Sequence, residues 1–167
     1  MAKRTLSLTT QTPTATADTT NLVDATYFGV VQGGSASQRV AISEIMLGGQ
    51  AGASAPTIMV LARDTTVAVT VSLGAGQTDA PNDAATAALA APTIVGNTAT
   101  TKPQRSATAH LANLTCNFFG GIVRWVAAPG SEYSIVGNTQ PLGEVSLSAF
   151  TGGTPGAYGG HLIYEAL

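Results

Sequence analysis

Few residues in this chain of 167 amino acids have the type and spacing that catalysis or metal binding requires. Its single cysteine, Cys116, lies in the apolar stretch Leu114–Phe119, which favours a small buried hydrophobic side chain over a nucleophile. The two histidines, His110 and His161, are distant in sequence, and the paired Cys or His spacing of a metal site is absent. A single thiol also cannot form an internal disulfide. We therefore expect no bound metal and no cofactor.

Sequence motifs of known enzyme classes are missing as well. The chain has no Gly-x-Ser-x-Gly nucleophile elbow. Its glycine-rich stretch Gly152–Gly160 lacks the Lys-Ser/Thr ending of a phosphate-binding loop and is interpreted as an ordinary loop. A cupin-like enzyme would need two close histidines with a carboxylate. Asp64, His161 and Glu165 could meet in space as a polar cluster, which the sequence leaves open. We predict that the protein is not an enzyme.

The composition excludes several classes of partner. Charged residues make up 10% of the chain and hydrophobic residues 44%, with a formal net charge of -2. This balance argues against disorder, and seven Lys+Arg against nine Asp+Glu provide no basic surface for nucleic acid. The longest strongly apolar run, Ile58–Ala62, is far shorter than the roughly 20 residues that span a membrane. The basic start is followed by polar residues, not by the apolar segment of a secretory signal. We expect neither a nucleic-acid nor a membrane partner.

The hydrophobic pattern predicts about eight or nine short β-strands separated by Gly and Pro turns. Val67–Leu73 alternates most regularly, and Thr57–Arg63 is apolar throughout, as a strand covered on both faces would be. A phase change within Gln38–Leu47 predicts a bulge near Ser43-Glu44. Ala84–Ala91 is the one predicted helix, of about two turns. The predicted fold is all-β, an antiparallel jelly-roll-like β-sandwich with one short helix and an extended N-terminal arm.

Two regions differ in composition. Residues 1–21 are rich in Thr and poor in large apolar residues, and predict an N-terminal arm in which Thr5–Leu8 could form a short strand. Residues 22–167 form the predicted β-sandwich domain. The arm is either a loose terminus or a segment that orders on a neighbouring subunit by adding a strand to its sheet edge, and both readings stay open.

The strand faces opposite the core carry Thr, Ser and Ala rather than Lys and Glu. Small neutral side chains lose little rotamer entropy when they are covered, so such faces suit packing between subunits. Phe150, Tyr158 and Tyr164 lie in the last two predicted strands and are candidates for a subunit interface. The alternative is that these aromatic side chains fill the core. We expect a homo-oligomer.

Four segments of the chain resemble small structural proteins of tailed-bacteriophage virions. They are Gly120–Gly130 (GGIVRWVAAPG), Gly143–Gly156 (GEVSLSAFTGGTPG), Gln50–Asp64 with its SAPTIMVLAR run, and the ending His161–Glu165 (HLIYE). The nearest comparison is with capsid decoration, or cement, proteins, and the resemblance covers most of residues 22–167.

The resemblance implies a trimer bound to the outer surface of the capsid, made in the host cytoplasm. It would bridge neighbouring major capsid protein subunits near local three-fold positions and stabilise the head against the pressure of packaged DNA. Within the predicted arm, the candidate capsid-contact residues are Lys3, Arg4, Leu6 and Leu8.

A second class of function is a tail or head-fibre module that binds a host-surface glycan. Glycan sites generally use exposed aromatic faces beside polar groups. Trp125 is the only tryptophan, and its alternation with Val123 predicts that it faces the core.

Overall fold

The computed structural model describes residues 3–11, 27–74, 77–85, 94–139, 143–150 and 157–167. These residues form eleven β-strands and no helix. In chain order the strands are β1 (Lys3–Gln11), β2 (Tyr27–Gln32), β3 (Arg39–Gly49), β4 (Pro56–Thr66), β5 (Gln77–Pro81), β6 (Ile94–Gly96), β7 (Gln104–Asn117), β8 (Ile122–Val126), β9 (Tyr133–Val136), β10 (Glu144–Phe150) and β11 (Tyr158–Ala166).

The strands form two sheets whose neighbours all pair antiparallel. The front sheet has the order β5-β1-β11-β3-β8, and β9 pairs with β3 next to β8. The back sheet has the order β6-β2-β10-β4-β7. Successive strands along the chain repeatedly cross from one sheet to the other, so the hydrophobic faces of both sheets enclose one core. The predicted antiparallel β-sandwich is confirmed.

The strand pairing is that of a jelly roll, because the chain folds as one long hairpin rolled on itself. Setting aside the short strands β5, β6 and β9, the first strand pairs with the last, β2 with β10, β3 with β8 and β4 with β7. Rolling this hairpin then brings β11 against β3 and β10 against β4.

Two local features agree with the sequence pattern. β4 is buried on both faces, as its continuous apolar run predicts, because Val60 and Leu61 point to opposite sides and both are buried. The bulge is at Ser43, since Ile163 lies opposite Glu44 while the next residue of β11 lies opposite Ile42. The extra residue switches the inward-facing phase of β3 between its two halves.

Tyr158 and Tyr164 are completely buried inside this sandwich. Tyr158 stacks between Phe118 and Phe28, with ring centroids 4.9 and 6.4 Å away. The interface prediction is therefore wrong for both tyrosines, which fill the core instead. Phe150 is placed by its backbone at the end of β10, and its interface role stays a prediction.

The N-terminal strand belongs to the sandwich. β1 pairs with β11 from Lys3 opposite Glu165 onward, and with β5 on its other side. The predicted arm is therefore wrong for residues 3–11, and β1 has no unpaired edge to add to a neighbouring subunit. Residues 12–21 of that prediction lie outside the described residues.

The outer face of the back sheet is covered by the connection between β4 and β7. We call residues 67–74 and 97–101 the cover segment, whose two parts are joined by Val69–Thr101 and Ser72–Thr98 bridges. Its Ala68 packs on Val30 of β2. The strand predicted at Val67–Leu73 is thus wrong, because its apolar positions serve this packing without a continuous ladder. The predicted helix lies mainly in residues 86–91, outside the described residues, and Ala84 and Ala85 form a turn.

Candidate functional site

Two buried carboxyl groups lie beneath the cover segment. Ser146 Oγ donates to Asp64 Oδ1 at 2.7 Å. Glu144 accepts hydrogen bonds from the Ala68 backbone N–H, at 3.0 Å, and from Gln32 Nε2. Burial raises the pKa of Asp64 well above its usual range, and the neighbouring Glu144 carboxyl raises it further. Burial also raises the pKa of Glu144. Burial therefore favours the neutral form of both carboxyl groups.

This buried acid pair has no route to a substrate. The exposed fraction is 1% for Asp64 and 0% for Glu144. Arg105 lies opposite Asp64 on β7, donates from Nη1 to Ser148 Oγ at 2.6 Å, and is equally buried. Burial lowers its pKa to about 10. The cluster attaches the cover segment to the back sheet, which is a structural role.

A second ionic group lies on the outer side of the front sheet, where solvent reaches it. Arg124 donates from Nε and Nη2 to the two carboxylate oxygens of Glu44, at 2.8 and 3.0 Å. His161 Nε2 lies 3.0 Å from Glu44 Oε1. The hydrogen bonds from Arg124, and then from His161, lower the pKa of Glu44 to about 2. We call these three residues the ion triad.

The polar cluster of Asp64, His161 and Glu165 that the sequence left open does not form, and His161 belongs to the ion triad instead. His161 contacts Glu44 rather than Asp64, because Asp64 lies in the back sheet and His161 in the front sheet. The triad comes from β3, β8 and β11, and its members are 80 and 117 residues apart in sequence. No spacing in the sequence marks it.

Exposed apolar side chains surround the ion triad. Ile122 and Val126 on β8 are 75% and 54% exposed. Met46 lies opposite Arg124, and Ile163 lies opposite Glu44, on the same side of the sheet and half-buried. We call these four residues together with the ion triad the front face. It is apolar around a neutralised centre, a composition typical of protein interfaces.

Two shallow grooves cross the front face. One, of about 370 Å³, lies between Met46 and Ile122, and six glycines contribute to its lining: Gly48, Gly49, Gly120, Gly121, Gly159 and Gly160. The other, of about 310 Å³, runs between Val126, Ile163 and Pro129. Open grooves of this kind suit the surface of another protein better than a small ligand, which is normally enclosed on most of its surface.

The predicted capsid-contact residues lie elsewhere. Arg4 Nη2 is 3.2 Å from Asp79 Oδ2, and Tyr164 Oη donates to Asp79 Oδ1 at 2.8 Å. Arg4 is therefore half-buried and paired within its own chain, and its contact with the capsid stays a prediction. Lys3, Leu6 and Leu8 lie on β1 opposite Glu165, Leu162 and Gly160 of β11.

The structure also shows where the cysteine and His110 lie, the residues that the sequence analysis examined for catalysis and metal binding. Cys116 packs against the core, and burial raises its pKa to about 11, so the thiolate is disfavoured. His110 is exposed on β7 in the back sheet. Within the described ranges, no three His, Cys, Asp or Glu side chains come together as metal ligands. Across the same ranges, no helix is long and apolar enough to cross a membrane.

We compared the chain with known proteins. The chain matches no protein-family model, no curated protein and no solved structure.

Proposed function

We propose that this protein is a bacteriophage capsid decoration protein that binds the outer surface of the major capsid protein through its front face. The observation that supports this most is the exposure of Ile122 and Val126 around a neutralised ion triad. An apolar surface of this kind is stabilised when another protein covers it, at about 25 cal/mol per Å² of apolar area buried. The function is non-enzymatic and stabilises the head.

Three further features support the proposal. The jelly roll recurs among viral capsid proteins, which is support by analogy of fold. The resemblance of Gly120–Gly130 to virion proteins includes β8, the strand that carries the exposed side chains. The slightly acidic net charge of -2 suits an outer location, away from packaged DNA.

The glycan-binding alternative loses its candidate tryptophan. Trp125 stacks on Tyr133, with ring centroids 4.5 Å apart, and both pack against the core. The exposed aromatic side chain near β8 is Phe119, at 58%, which has no polar ring atom to bind a sugar hydroxyl.

The proposal is tested by binding to undecorated heads. Met46→Glu adds a negative charge to the middle of the front face without touching the β8 edge, and should weaken co-sedimentation with heads about tenfold or more, since the added charge must lose its water when a partner covers the face. Val69→Glu, at a 49% exposed position on the cover segment, is the control and should bind like the wild type. Wild-type protein that fails to sediment with heads would refute the proposal. Equal binding by both variants would move the contact away from the front face.

The resemblance implies a trimer, and the copy number remains a prediction. Light scattering of the purified protein measures it directly.

A further inference from the structure

The β8 strand lies at the edge of the front sheet with one side open. Among the described residues it pairs only with β3. The Ala127 N–H donates to the Ser43 carbonyl at 2.9 Å, which marks that pair as hydrogen-bonded. Bonded and non-bonded pairs alternate along an antiparallel ladder. The backbone N–H and C=O groups of Ile122, Arg124 and Val126 therefore point away from β3, towards the open side.

This edge lacks the devices that normally prevent pairing between sheets. Proteins protect exposed edges with Lys, Pro, bulges or inward-pointing charges. The sequence of β8 is Ile-Val-Arg-Trp-Val, with no Lys and no Pro. Its one charge, on Arg124, is neutralised by two hydrogen bonds to Glu44. The open side of β8 can therefore form backbone hydrogen bonds with a strand of another chain.

The order of residues in β8 identifies that partner. Around Arg124 the pattern of apolar and charged residues is the same in either direction, with the apolar Val123 and Trp125 next to it and the apolar Ile122 and Val126 at the ends. We propose that β8 pairs antiparallel with β8 of a second copy of this chain, about a two-fold axis through Arg124. Ile122 then lies opposite Val126 of the second copy, an apolar cross-strand pair of the stabilising kind. A strand from an unrelated protein would not require this symmetry.

The pairing places two Arg124 side chains opposite each other, and the structure accommodates them. Arg124 would form a hydrogen-bonded pair, in which the Cα atoms are about 5.5 Å apart rather than about 4.5 Å. Each guanidinium also keeps its own Glu44 carboxylate, whose pKa of about 2 keeps it ionised. Two positive and two negative charges therefore meet at the axis.

The two-fold axis of such a pair is perpendicular to the sheet. Both front faces therefore point to the same side, and the two front sheets become one continuous sheet. The contact between five-residue strands is small compared with the roughly 800 Å² per partner of a standard interface. We expect a concentration-dependent association that is strengthened wherever copies are held close together.

This inference goes beyond the proposed function and is tested on purified protein without heads. Sedimentation equilibrium over about 1 µM to 1 mM should show an average mass that rises with concentration towards twice that of the smallest species, whether that species is one 16.7 kDa chain or the trimer that the resemblance implies. Val126→Lys should shift this rise to about tenfold or more higher concentration, because it replaces both apolar pairs across the axis. Val69→Lys is the matched control and should leave the mass unchanged.

A charge-exchange experiment tests the register. The double variants Ile122→Glu/Val126→Glu and Ile122→Lys/Val126→Lys should each fail to associate, because like charges meet across the axis. Mixed, they should associate, since each introduced glutamate then lies opposite an introduced lysine. A wild-type mass that does not rise with concentration, a rise unaffected by Val126→Lys, or a mixture that stays apart would each overturn the inference.

Discussion

The same chemical group has opposite roles in two places of this molecule. The Glu44 carboxylate, hydrogen-bonded by Arg124 and His161, is held ionised with a pKa of about 2. The pKa of the Asp64 carboxyl, buried beside Glu144, is raised well above its usual range. The pKa of Glu44 is lowered from 4.5, so its stabilisation is complete above that pH and is lost as the pH falls towards about 2. Asp64 contributes with the opposite sign.

Replacing Asp64 with Asn tests the buried acid pair. Folded Asp64 keeps its proton above pH 3.8, where the unfolded chain has lost it, so the stability due to this group falls as the pH rises. The amide of Asp64→Asn can still accept from Ser146, and it does not titrate. The variant should therefore gain stability relative to the wild type by up to about 1.4 kcal/mol per pH unit across this window. Urea unfolding between pH 4 and 8 measures the difference.

The control for this prediction is Asp83→Asn, the same change at an exposed position. It should not alter the pH dependence of the urea midpoint. A constant difference between Asp64→Asn and the wild type at all pH values would contradict the raised pKa of Asp64.

The strands that sequence reasoning predicted are those whose local pattern decides their burial. The phase change across Ser43 locates the bulge, and the continuous apolar run of β4 indicates burial on both faces. The failures depend on distant partners. The local sequence predicts only a marginal strand at Thr5–Leu8, because its pairing partner β11 is more than 150 residues away in sequence. Val67–Leu73 alternates like a strand, yet it packs on β2 as part of the cover segment.

Close contacts between strands explain some of the glycines that line the larger groove. A Cβ on Gly49 would overlap the Phe118 backbone where β3 meets the turn before β8, whereas a Cβ on Gly52 would meet no atom within 4 Å. Gly49→Ala should therefore lower the free energy of unfolding by about 1–3 kcal/mol, the usual cost of overpacking. Gly52→Ala, the matched control, should change it by less than about 1 kcal/mol. Equal urea midpoints for the two variants would contradict the close packing of this turn.

At the scale of the whole molecule, the two sheets differ in how much of their outer face is covered. The cover segment packs on part of the outer face of the back sheet, above the buried polar residues, while the outer face of the front sheet and the free side of β8 stay exposed. The composition predicted weakly charged surfaces suited to assembly, but it could not tell which surface stays open. That depends on the register that brings Glu44, Arg124 and His161 together across three strands. The front face and the β8 edge are adjacent, so docking and self-pairing can occur together.

Docking through the front face should depend little on salt. The ion triad at its centre is internally paired, because Arg124 and Glu44 neutralise each other before any partner arrives. Raising NaCl from about 0.05 to 0.5 M should therefore change the affinity for undecorated heads by less than about threefold, since screening acts on unpaired exposed charges. Glu44→Gln leaves Arg124 without its carboxylate and should acquire a measurable salt dependence. A hundredfold loss of wild-type binding over the same range, as contacts with phosphate would produce, would place the docking charge elsewhere on the molecule.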